Sequence, residues 1–132
     1  MNAVAQVFAV VEAVIYIVVF PLEAFFVDRP SVLRFLRVPS GNVKVIKVWA
    51  FSVGWRNFFL GAGVITGVAL LNVGRETIGA TLVVFCCLNM VLSAWLMYVS
   101  DLLGQYPKRG DSVPGVLAAS VPAFIALIVA LF

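Results

Sequence analysis

The chain contains no histidine. That removes the usual proton shuttle near neutral pH and a principal ligand of zinc and haem. Histidine-based catalysis is therefore excluded, and no cofactor is expected. Only two cysteines occur, Cys86 and Cys87. They are adjacent in an apolar run, a poor geometry for pairing with each other, and no third thiol exists. Both are expected to be reduced and inert. Charge is scarce as well, with Asp, Glu, Lys and Arg making up 11% of the residues against about a quarter in soluble domains. Also missing are G-x-S-x-G, HExxH, a P-loop and a glycine-rich dinucleotide fingerprint, so no motif speaks for an enzyme.

What is present is apolar. Hydrophobic residues are 64% of the 132, and the mean hydropathy is +1.14. A soluble chain of this size has too little interior to hide that surface, whereas segments of about 20 apolar residues each match a hydrocarbon core of about 30 Å. The expected fold is all-α: a single transmembrane domain over residues 1–132, built as an integral membrane four-helix antiparallel bundle with the lipid bilayer as its main partner. The net charge of +3 does not point to nucleic acid. The basic residues form no aromatic-interleaved patch and cluster beside apolar runs, as topology signals do.

Four spans are expected, at about 4–26, 46–72, 77–100 and 113–132. The N-terminal "MNAVAQVFAVVEAVIYIVVF" lacks a basic leader, is too long for a cleaved signal and carries Glu12, so it reads as an uncleaved first span. Pro21 falls in its last turns and is expected to kink it. The span ends at "VDRP", where Pro30 disfavours helix at the residue before it. Residues 31–38 form a short amphipathic interfacial segment, with Leu33 and Leu36 on one face and Arg34 and Arg37 snorkelling toward headgroups. The connection "NVGRE" is so short that spans two and three must be antiparallel neighbours. "DLLGQYPKRGDSVP" breaks at Gly104, Pro107, Gly110 and Pro114, with Pro114 suited to the first turn of span four.

Orientation follows from the loop cations. Connections 27–45 and 101–112 hold Arg29, Arg34, Arg37, Lys44, Lys108 and Arg109, whereas the opposite side holds only Arg75. The positive-inside rule then places those basic loops in the cytoplasm and both termini outside. The chain is expected to cross its membrane in multiple passes.

The candidate intramembrane polar site comprises Glu12, Glu23, Arg56, Asn57, Asn89 and Ser93. Charges at bilayer depth cost at least about 2.5 kcal/mol each on insertion scales, so they normally face the bundle and find partners. At about 1.5 Å per residue, Arg56 lies roughly 13 to 15 Å from the start of span two, a depth shared by Glu12 on the oppositely directed span one. A Glu12–Arg56 ion pair is expected on that ground, either fixing helix register or forming a proton or substrate site. Glu23 falls closer in level to Lys47. Asn89 and Ser93 share a face at i, i+4 spacing and join Asn57, Ser52 and Thr66 as groups for interhelical hydrogen bonds. Ala50 with Gly54, Gly63 with Gly67, and Ala126 with Ala130 are spaced for close helix packing. Trp49, Trp55, Trp95, Tyr98 and Tyr106 suit lipid or interface positions, the last two as an anchoring belt.

The stretch "KVWAFSVGWRNFFLGAG" (47–63), with "RFLRVPS" before it and "VPAFIALIVALF" at the end, resembles the small bacterial membrane proteins of the domain of unknown function 1304 (DUF1304) family. Lys47, Val48, Ala50, Gly54, Asn57, Phe59, Leu60, Ala62 and Gly63 match its pattern residue by residue. Ser52 and Val53 stand where the family tends to have Asn-Gln, and Arg56 stands where it tends to have tyrosine. The resemblance implies four spans at about this length and carries no activity with it.

Three functional readings follow. In the first, the chain is a small non-enzymatic membrane protein, an accessory or scaffold subunit packing against other membrane-protein subunits or as a homo-oligomer. In the second, it is a small oligomeric transporter that couples substrate movement to protonation of Glu12, with Arg56 or Asn57 at the substrate. In the third, the same cluster serves a lipid-binding or lipid-modifying protein.

Overall fold

A computed structural model describes residues 1–38, 41 and 43–131. Pro39 and Ser40 of "RFLRVPS" and the final Phe132 of the fourth span lie outside the described residues. The first helix, α1 (Ala3–Ala24), is started by Asn2, whose Oδ1 accepts from the Ala5 amide at 2.9 Å. Such a cap satisfies one of the amides that a helix start leaves unpaired. Pro21 sits inside α1, and the helix continues only three residues beyond it.

A six-residue helix follows, α2 (Pro30–Phe35), with proline in its first turn. It ends in a Schellman arrangement: the Val38 amide bonds to Leu33 O at 2.9 Å and the Arg37 amide to Arg34 O at 3.3 Å. The left-handed position in that motif is usually glycine but is filled here by Arg37, with φ of 56°. Val32 and Leu33 are buried while Arg34 and Phe35 are exposed, so α2 buries one apolar face.

Helices α3 (Val43–Asn72) and α4 (Glu76–Leu102) are the long second and third spans. They are joined by a turn in which Gly74 takes φ of +79°, a conformation that side chains with a Cβ resist. The antiparallel register of α1 and α3 is marked at both ends. Lys47 Nζ donates to Asp28 Oδ2 at 2.7 Å, and Asn72 Nδ2 donates to Gln6 Oε1 at 2.9 Å. α3 therefore starts well beyond the end of α1, roughly two turns on.

Glycine lets these helices approach closely. A Cβ at Gly54 would lie 2.9 Å from Phe20 O, and one at Gly61 would lie 2.9 Å from Ala13 O, both in α1. On the other side of α3, Gly63 meets Cys86 Sγ, and Gly67 meets the Gly79 carbonyl of α4. Gly54, Gly63 and Gly67 thus pack within one chain, and Gly61 joins them; Ala50 is half-buried.

The fourth span, expected as one helix over 113–132, is divided. α5 (Val113–Ala118) and α6 (Val121–Val129) are separate helices, with Pro122 in the first turn of α6. Proline has no amide for Ala118 O, and its ring crowds that carbonyl, so a continuous helix cannot pass through. α6 packs on α1 and α4, and α1 and α4 each pack along α3, closing a four-membered ring. The core between them is built largely from small and medium side chains, among them Ala9, Ala13, Val64, Val83, Met90, Ala123 and Ala126. The architecture is an all-helical bundle of three long apolar helices and a shorter broken one, and it fits a multi-pass membrane protein.

Candidate functional site

A broken helix inside an apolar bundle leaves backbone amides and carbonyls without partners, which is costly unless side chains supply them. Here α1 supplies them from two residues one turn apart. Glu12 is wholly buried, and its Oε2 accepts from the Ala123 amide at 3.3 Å, near the start of α6. Tyr16 turns its hydroxyl to Ala119 O and to Met90 O, each at 3.3 Å. Ser120 Oγ donates to Val116 O at 2.7 Å. The remaining Glu12 oxygen, Oε1, is buried with no hydrogen-bond partner among the described residues.

The break has a steric consequence. α6 lies against α1, but α5 packs on α4 and α6 and makes little contact with α1. A wedge opens between them, enclosing a cavity of about 670 Å³ lined from α1, the α2 end, α3, α4 and α5. Its walls are chiefly apolar, with Ile15, Val19, Val53, Leu96 and Met97 among them. Cavities of this size with apolar walls and a few placed polar groups are typical of small-molecule sites.

The polar groups sit in two places. From α1 and α3 come Glu23, Asn57 and Arg56. Asn57 Nδ2 donates to Glu23 Oε2 at 2.7 Å, and Arg56 Nη2 donates to Asn57 Oδ1 at 3.3 Å. Asn57 is buried while Arg56 stays exposed, so the amide links a carboxylate on one side to a guanidinium on the other. At the loop end are Arg34, Arg37, Tyr106, Asp111 and Ser112. Arg37 Nη1 lies 3.8 Å from Asp111 Oδ1, which also accepts from the Lys108 amide through Oδ2 at 3.2 Å. Burial pushes the Tyr106 hydroxyl above its ordinary pKa, and the charge of Asp101 adds to the effect, so Tyr106 stays a neutral donor. Buried Asp101 in turn holds the loop by accepting from the Gly110 and Ser112 amides at 3.0 Å.

The expected ion pair between Glu12 and Arg56 is not among those the described residues form. Gly61 sits between Ala13 and Ile17, so Arg56, five residues earlier in α3, is roughly 12 Å nearer the other end of the bundle than Glu12. The depth estimate fails because it counts from the start of span two, and α3 begins roughly two turns beyond the end of α1. Lys47 goes to Asp28, leaving Glu23 to Asn57. Ser93 lines the cavity and donates to Asn89 Oδ1 at 3.5 Å, whereas Glu12 and Asn89 lie outside the lining.

Sequence reasoning missed Tyr16, Asp111 and the role of Pro122, and it set Arg34 and Arg37 at the headgroups rather than at a cavity. Two signals were available. Tyr16 is the i+4 neighbour of Glu12 in an otherwise apolar run, and Pro122 interrupts the last span. Cys86 and Cys87 are both buried and free. Among the described residues no three His, Cys, Asp or Glu side chains gather as metal ligands.

No curated protein and no solved structure matches the chain. Residues 10–131 match the model of the family described as protein of unknown function, DUF1304. That interval takes in Glu12, Tyr16, the divided fourth span and all of the described cavity lining, and on its strength the chain belongs to the DUF1304 family.

Proposed function

We propose that the protein binds an amphiphile inside the membrane, with the apolar part of the ligand along the wedge between α1 and α5 and its polar end at the Arg56–Asn57–Glu23 cluster. The observation that carries this is the 670 Å³ cavity with apolar walls and charged groups gathered in two clusters. A scaffold or accessory subunit needs no such space, and packing into it would have been favourable because protein interiors normally close to high density. The broken fourth span, with two α1 side chains committed to its loose backbone ends, supports a wedge that is built rather than incidental.

The cavity lining includes residues 34–37, 106, 111 and 112 of the connections 27–45 and 101–112. Their excess of Lys and Arg favours the cytoplasmic side of a bacterial plasma membrane, with both termini outside. A carrier that moves the same amphiphile uses the same cavity and adds a conformational cycle. Binding is the part the geometry supports.

The test is native mass spectrometry of the protein released from mild detergent, with Ser93→Trp as a variant that fills the cavity from α4. The wild type is expected to retain one amphiphile after its annular lipid is stripped, and Ser93→Trp to retain none. Equal retention by both would remove the binding reading.

A further inference from the structure

Resting on that binding reading, we infer that the polar end of the ligand is an oxyanion, received by Arg56 in that cluster or by Arg34 at the loop end of the same cavity. Three guanidinium groups line the cavity, from Arg34, Arg37 and Arg56, against two carboxylates, Glu23 and Asp111. Both carboxylates are already engaged. Asp111 lies near Arg37 and accepts from the Lys108 amide, while Glu23 accepts from Asn57 at 2.7 Å.

Arg34 and Arg56 are left without a carboxylate in ion-pair range among the described residues. Arg34 Nε donates to Pro30 O in its own helix at 3.4 Å, and Arg56 Nη2 donates to Asn57. A guanidinium carries five N–H donors in a planar fork. Each of these two therefore keeps most of its donors for a planar or tetrahedral oxyanion, the partner that fork fits best.

The surroundings set the sign of the charge. The lining carries one more cation than anion, and apolar walls strengthen charge pairing relative to water. An anion entering the wedge offsets the excess cation, whereas a quaternary ammonium would meet a guanidinium in either polar cluster. Tyr106, a neutral hydroxyl of the loop-end cluster that holds Arg34, adds a donor there. The shared chemistry is that of a phosphate or carboxylate group, carried either by a lipid headgroup or by a free oxyanion.

The experiment places the full-length protein in nanodiscs of phosphatidylglycerol and phosphatidylcholine with identical acyl chains, and reads the retained lipid by native mass spectrometry. The wild type is expected to prefer phosphatidylglycerol by about tenfold, the scale of one charge-assisted hydrogen-bonding site. Arg34→Gln and Arg56→Gln should each erode that preference, and Arg56→Lys should keep part of it. Lys44→Gln, outside the cavity, should leave it unchanged.

Inorganic phosphate added alone distinguishes the sources. Displacement of phosphatidylglycerol by millimolar phosphate would assign the site to a free oxyanion, and resistance together with loss of retention in the arginine variants would assign it to the lipid. Retention of both lipids that Arg34→Gln and Arg56→Gln leave unchanged, with both lost in Ser93→Trp, overturns the oxyanion assignment and leaves the amphiphile reading standing. Retention that Ser93→Trp does not touch overturns both.

Discussion

The amide of Ala123 donates to Glu12 across 111 residues of sequence, at 3.3 Å, and so ties the start of α6 to the middle of α1. A carboxylate near a helix N-terminus is favourably placed, since unpaired amides and the helix dipole both present positive charge there. The residue that looks from sequence like one half of an ion pair is, in the fold, the partner of a helix start.

That relationship makes the acceptor oxygen matter more than the charge. Glu12→Gln keeps an acceptor of nearly the same shape and should retain most of the stability. Glu12→Leu orphans the Ala123 amide in an apolar interior and should cost about 1–3 kcal/mol. Unfolding by sodium dodecyl sulfate titration in mixed micelles measures both. Equal losses in the two variants would show that the charge, not the hydrogen bond, is what counts.

Glu12 and Arg56 should also behave as independent sites. Their Gln substitutions are expected to add within about 0.5 kcal/mol in a double-mutant cycle. Glu23→Leu and Asn57→Ala, which remove the two ends of one 2.7 Å hydrogen bond, should instead couple by roughly 0.5 kcal/mol or more. The same unfolding assay applied to both cycles decides the matter, and strong coupling between residues 12 and 56 would contradict the geometry.

The glycines of α3 and α4 should not be equivalent. A Cβ on Gly79 would come within 2.6 Å of Gly67 O, which is backbone and cannot turn aside, whereas one on Gly63 would meet the Cys86 side chain at 2.8 Å. Gly79→Ala should therefore destabilise by about 1–3 kcal/mol, the usual scale of overpacking. Gly63→Ala should cost less, because a thiol changes rotamer more easily than two helices separate. Thermal unfolding in detergent ranks them.

The loop after α1 gives a pH dependence. Lys47 donates to Asp28, and that hydrogen bond, with the ammonium charge, holds the Asp28 carboxyl below its ordinary pKa. A folded value below the unfolded one means the contribution is fully present above about pH 4 and is lost as pH falls through the folded pKa. Because the pair is exposed, the effect is local and screened. Carbon-13 NMR titration of the Asp28 carboxyl should show its midpoint rise in Lys47→Gln. An unchanged midpoint would mean that the contact is not kept in solution.

Much of this fold is legible in the sequence, because long apolar runs with few charges leave the backbone little alternative to helices in lipid. The three long helices fall close to the expected spans, and the short amphipathic segment is visible in the alternation of Leu33 and Leu36 with Arg34 and Arg37. The site was less legible for two physical reasons. Depth counted along a helix depends on where that helix starts, and α3 overshoots α1 by roughly two turns, which moves Arg56 from Glu12 toward Glu23. The groups that Glu12 and Tyr16 satisfy are backbone atoms, which no side-chain pattern announces. Only Pro122 marks the place where those atoms come free.

The division of the fourth span bears on how the protein is made. A chain inserting in order delivers α1, α3 and α4 first, each a continuous helix. The last segment arrives with a break that only residues 12 and 16, placed in the bilayer much earlier, can complete. Its stable residence in the membrane is therefore a product of assembly rather than of its own hydrophobicity, and a chain lacking α1 should leave the final segment to the quality-control proteases that clear unpartnered spans.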